Sequence, residues 1–90
     1  MSATRAEVYH AIDTEREYQD NLWPDYAAGT ANPNPLEVGE FLVLIDEYLA
    51  RARAQWIAEK RPEIQTLHFI RKIAGIAVNC MEQHGAPVRG

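Results

Sequence analysis

Sulfur, serine and positive charge are all scarce in this chain. Cys80 is the only cysteine and Ser2 the only serine. An internal disulfide is therefore impossible, and a lone serine with no base near it in sequence gives nucleophilic catalysis no support. Cys80 lies inside the apolar stretch Ile76–Met81, where a buried structural thiol is expected rather than a reactive one. Nine Lys and Arg face thirteen Asp and Glu, for a net charge of −4. The broad basic surface that supplies most nucleic-acid affinity is missing, so no general nucleic-acid binding is expected. A small phosphorylated ligand is still compatible with that balance. No apolar run approaches the ~20 residues needed to span a bilayer, and no signal peptide opens the chain. The expectation is a cytoplasmic protein with no membrane association. His10, His68 and His84 fall on separate elements or faces without metal-ligand spacing, which argues against a zinc site. Strand-like alternation, internal repeats and low-complexity tracts are also lacking.

The chain does have enough apolar residues for one core: 47% of its 90 residues are hydrophobic. That fits a single helical domain over residues 1–90. A chain of this size buries only about 60–65% of its unfolded surface, so self-association is expected to complete the core.

Three amphipathic segments account for the apolar residues. The first, near 4–23, opens on Thr4-Arg5-Ala6-Glu7, which reads as a capping box. Val8, Ala11, Ile12 and Leu22 lie roughly on one side of it, and charge crowds the other. Pro24 stops it, and residues 24–34, rich in Gly, Asn, Pro and Ala, read as a loop. The second segment, near 35–60, reads as the organising helix. Asn34 is placed to cap it, with Pro35 at the first helical position and Glu37 reaching back. Val38, Phe41, Leu42, Ile45, Leu49, Ala52 and Trp56 recur at three- and four-residue steps and should form its buried face. Glu47 and Arg51 make an i,i+4 pair on another face. Pro62 ends it near Lys60-Arg61.

The third segment, near 63–84, ends at Gly85, expected as a left-handed cap, with Pro87 beyond. It is apolar over most of its circumference, leaving only a polar stripe of Gln65, His68, Lys72, Gly75, Asn79 and Glu82. So wide an apolar arc calls for burial on more than one side. The expected fold is all-α: three main helices in an antiparallel helical bundle, the second and third antiparallel, completed by a homo-oligomer through the third helix.

The stretch Ile12-Asp13-Thr14-Glu15-Arg16-Glu17-Tyr18-Gln19-Asp20-Asn21-Leu22-Trp23 resembles the first helix of the MazG-like all-α nucleotide pyrophosphohydrolases, in their small phage-type variant. Glu15, Arg16, Gln19 and Trp23 carry the resemblance, and Asp20 also fits. In that family a Glu-Glu-x-x-Glu cluster on the next long helix and acids on the last one hold Mg²⁺ against nucleotide phosphates. Here Asp46-Glu47 match the paired acids, the third falls on Ala50, and Phe69 and Lys72 stand where the last helix should be acidic. Cations at Arg71-Lys72 would repel Mg²⁺ and attract phosphate directly. Lys72 could equally pair with Asp46 or Glu47. Tyr18 and Trp23 could stack on a base or serve as core or interface aromatics.

The resemblance thus implies a non-catalytic nucleotide- or phosphorylated-ligand-binding protein, one form of which would be a phage protein that sequesters a host nucleotide signal. Its ligand-binding residues would be Glu15, Arg16, Tyr18, Gln19, Trp23, Arg71 and Lys72, with no catalytic residue and no cofactor. One alternative is a Mg²⁺-dependent nucleoside triphosphate pyrophosphohydrolase, with Asp46 and Glu47 as metal ligands and acids from a neighbouring subunit. The other is a helical adaptor that binds a host protein through its last helix.

Overall fold

The structure, a computed structural model, describes residues 2–23, 36–58 and 60–90. Among them there are three helices and no strand: α1 (Arg5–Leu22), α2 (Val38–Ala58) and α3 (Glu63–His84). None is long and apolar enough to cross a membrane.

The start of α1 is the one read from sequence. The Thr4 hydroxyl accepts from the Glu7 N–H at 3.2 Å, and the Glu7 carboxylate accepts from the Thr4 N–H at 3.2 Å. The start of α2 differs. The expected Asn34-Pro35 cap and the 24–34 loop lie outside the described residues, and the helix begins at Val38. Glu37 takes the capping position: its carbonyl accepts from the N–H groups of Glu40 and Phe41 at 3.0 and 3.1 Å, and Glu40 Oε1 reaches back to the Glu37 N–H at 3.0 Å. Among the described residues, Glu37 is therefore itself capped by a following acid, Glu40. At the other end α2 stops at Ala58. Lys60 and Arg61 follow with φ of 56° and 61°, and the Arg61 N–H closes back on the Trp56 carbonyl at 3.0 Å. Two consecutive left-handed residues turn the chain sharply into Pro62 and α3. Gly85 ends α3 at φ 124° and ψ 152°, beyond the left-handed helical region but equally closed to side chains, and its N–H donates to the Met81 carbonyl at 2.8 Å.

The element that holds the fold together is α3 rather than α2. It packs against both α1 and α2, which do not pack against each other. His84 meets the start of α2, with Nε2 2.7 Å from the Leu36 carbonyl and its ring edge-on to Phe41. Midway along α3, Lys72 lies over Tyr48 of α2. Burial on α2 follows the line that faces α3: Phe41 and Ala52 are buried, Ile45 and Trp56 half-buried. Val38, Leu42 and Leu49, expected in the same face, remain exposed, because a single neighbouring helix covers only a narrow stripe.

The described apolar core is correspondingly small, with Phe41, Ala52 and Ile76 the buried hydrophobic residues. Cys80 is half-buried and free. The accessible surface of 7054 Å² exceeds the roughly 5,300 Å² expected for a compact monomer of 10.2 kDa. The radius of gyration, 14.3 Å, likewise exceeds the value of about 12 Å for a compact chain of this length.

Candidate functional site

The face that α1 turns to α3 is polar. Glu15, Arg16 and Gln19, at i, i+1 and i+4, are 4%, 6% and 6% exposed, whereas Val8 and Leu22 are exposed and Ala11 and Ile12 half-buried. The apolar side read from sequence is thus not the buried side. What draws the polar side inward is the polar stripe of α3.

The two stripes interlock. Arg16 Nε donates to Glu82 Oε1 at 2.9 Å, Nη1 to Gln19 Oε1 at 3.0 Å and Nη2 to Asp20 Oδ1 at 2.6 Å. Gln19 Nε2 donates to Glu15 Oε2 at 3.0 Å and to the Lys72 carbonyl at 3.3 Å. The other oxygen of Glu15 accepts from Arg71 Nε at 3.0 Å, and Arg71 Nη1 lies 2.6 Å from His68 Nδ1. Every charge buried here has an opposite partner, the condition under which polar groups tolerate removal from water. Gly75 lets the two helices approach: a Cβ on it would stand 2.8 Å from Glu15 Cγ and 2.9 Å from Gln19 Nε2.

The structure therefore brings Glu15, Arg16, Gln19, Arg71 and Lys72 together from two distant segments. It gives them different work. Arg16, whose side chain is 8% exposed, spends its donors inside the network. Glu15 and Arg71 neutralise each other. Lys72 is left over, with no carboxylate within ion-pair distance among the described residues. Its ammonium lies 5.7 Å from the ring centre of Phe69 and 6.0 Å from that of Tyr48. The alternative pairing of Lys72 with Asp46 or Glu47 is not formed; Glu47 instead binds Arg51 at 2.7 Å on its own helix.

A small cleft of about 290 Å³ opens beside this cation, lined by Thr14, Glu15, Tyr18, Arg71 and Lys72. Tyr18 is 59% exposed at its edge. Thr14 was not among the residues singled out from sequence; lying one residue before Glu15 and four before Tyr18, it shares their end of the helix face. Trp23 lies elsewhere. It lines a larger apolar cleft of about 520 Å³ between α1 and α2, with Phe41, Leu44, Tyr48 and Ile76.

Asp46 and Glu47 are both exposed on α2. Among the described residues no three acids, histidines or cysteines gather closely enough to hold a metal ion. A Mg²⁺ ion needs several hard oxygen donors in near-octahedral array, and one chain's described residues do not supply them. Comparison of the chain with protein-family models, with characterised proteins and with solved structures gives no match, and the MazG-like resemblance rests on the residues quoted for it.

Proposed function

We propose that this chain is a self-associating, non-catalytic MazG-like protein that binds a phosphorylated small molecule, above all a nucleotide, at the Thr14–Tyr18–Arg71–Lys72 cleft. The observation that carries this reading is the surplus cation: Glu15 offsets Arg71, and Lys72, which also lines the cleft, has no carboxylate of its own among the described residues. An ammonium of that kind attracts phosphate as a point charge, and the exposed Tyr18 ring adds a stacking surface, while the Thr14 hydroxyl donates to the Ala11 carbonyl at 2.7 Å and lines the cleft only as wall. Arg16 and Gln19 act one step back by fixing α1 against α3. The finer architecture proposed with it is an antiparallel bundle completed by oligomerisation. Its support is the small apolar core among the described residues, and contacts of His84 with Leu36 and of Lys72 with Tyr48, which run in opposite directions along α3 and α2.

The test is a thermal-shift series with nucleoside triphosphates, cyclic and linear dinucleotides and pyrophosphate, each with and without Mg²⁺. A ligand at a hundredfold excess over its Kd stabilises the native state by about 2.7 kcal/mol. A metal-independent shift with the ligand recovered intact is expected. A shift that requires Mg²⁺ and leaves the ligand cleaved would replace the proposal with the hydrolase. No shift with any of them would replace it with the adaptor.

A further inference from the structure

Leu67, Ile70, Ala74, Ala77 and Met81 stand at steps of three, four, three and four along α3, the spacing of a coiled-coil seam. At 3.6 residues per turn, this line is about 120° around the helix from Gly75, the residue that faces α1. Leu67 is 54%, Ile70 53% and Met81 44% exposed, and the two alanines between them are half-buried. Leu42 and Leu49 widen the same apolar face from α2, across Phe41 from the residues that line the α1–α2 cleft.

We infer that a second copy of this chain covers that face, through an antiparallel α3–α3 seam whose two-fold axis passes beside Ala74. The inference rests on the self-association proposed above and names its surface and geometry. The seam selects a second copy as the occupant because it is complementary to itself: reversed upon a copy, Leu67 meets Met81, Ile70 meets Ala77, and Ala74 meets Ala74. Each large side chain then has a partner, and the one small–small layer falls at the axis, where the two helices cross most closely. Parallel pairing would stack Ala74 on Ala74 and Ala77 on Ala77 in successive layers and leave a void.

Sedimentation equilibrium of the native chain is the first measurement, followed by mild oxidation of two variants in a Cys80→Ala background. With Ala74→Cys, the introduced thiols meet at the axis, and a disulfide-linked dimer is expected. With Met81→Cys they stand about 21 Å apart along the seam, and no cross-link is expected. Leu67→Glu should yield monomer with its helical circular dichroism retained. A monomeric native chain would overturn self-association itself. An associated native chain in which Ala74→Cys does not cross-link would leave self-association standing and overturn the seam. Cross-linking through Met81→Cys would overturn the antiparallel arrangement.

Discussion

Gln19 fills the space that a β-carbon on Gly75 would take, 2.9 Å from its Nε2 atom. Two opposing effects follow for Gly75→Ala. Alanine favours a helix interior over glycine by about 1 kcal/mol. Against that, the new methyl also meets Glu15 Cγ at 2.8 Å, and both neighbours are fixed by hydrogen bonds rather than free to swing away. Overpacking at a buried site costs about 1–3 kcal/mol, and separating the helices also loosens the ion pairs across them. The clash should win, lowering the urea midpoint. A midpoint raised above the native value would show that α1 is not held this closely to α3.

Arg16 carries the same layer by charge. Arg16→Met keeps much of the apolar stem but strands Glu82, Asp20 and the Gln19 carbonyl oxygen. Removing one partner of a fully buried pair costs about 3–5 kcal/mol; with Asp20 and Glu82 about 40% exposed, a loss of about 2 kcal/mol is the scale to expect. Denaturation at low and high salt would check it. A variant as stable as the native chain would place Arg16 outside the framework.

How much of this could be read from the sequence depended on which physical signal each residue carried. Local signals read well: the Thr4–Glu7 cap, the span Glu63–His84 and the Glu47–Arg51 pair all recur in the structure. Register against a neighbour did not. The α2 stripe was drawn too wide because periodicity gives a face but not how much of it a partner covers, so Leu42 and Leu49 were placed inside. The reading of α1 went astray for a deeper reason. A polar stripe ordinarily marks solvent, yet Glu15, Arg16 and Gln19 are buried because α3 offers Lys72, Gly75 and Glu82 at matching steps. The missed signal was complementarity between two polar stripes, with a glycine in one of them.

The cap of α1 gives the chain a pH dependence at one end. The Glu7 carboxyl is held below its usual value of 4.5, first by the Thr4 backbone N–H and then by the Thr4 hydroxyl. A carboxylate whose folded pKa is lowered contributes stability that is fully present above the unfolded pKa and is lost as pH falls through the folded one. The melting-temperature gap between the native chain and Glu7→Gln should therefore be widest near neutrality and close as pH falls below 4.5 and through the lowered folded value. A gap that does not change with pH would mean that the charged form of Glu7 does not stabilise the cap.

Lys72 and Arg71 are adjacent cations on the same cleft, and substituting each in turn separates binding from folding. Lys72→Met removes an ammonium that has ring contacts but no carboxylate partner among the described residues, and it keeps the stem over Tyr48 and Phe69. Its melting temperature should stay within a few degrees of the native value, since a partly exposed cation–π contact is worth about 0.5–1 kcal/mol. Arg71→Met instead leaves the Glu15 carboxylate, 4% exposed, without its cation, and should destabilise by about 2 kcal/mol or more. Binding of pyrophosphate or a nucleotide, followed by calorimetry, should weaken at least tenfold in Lys72→Met. The loss should be larger at low salt than at high, because an exposed point charge is screened. If affinity survives Lys72→Met, the phosphate lies elsewhere and the cleft is a structural seam. If Lys72→Met instead loses as much stability as Arg71→Met, the ammonium belongs to the framework and is not spare.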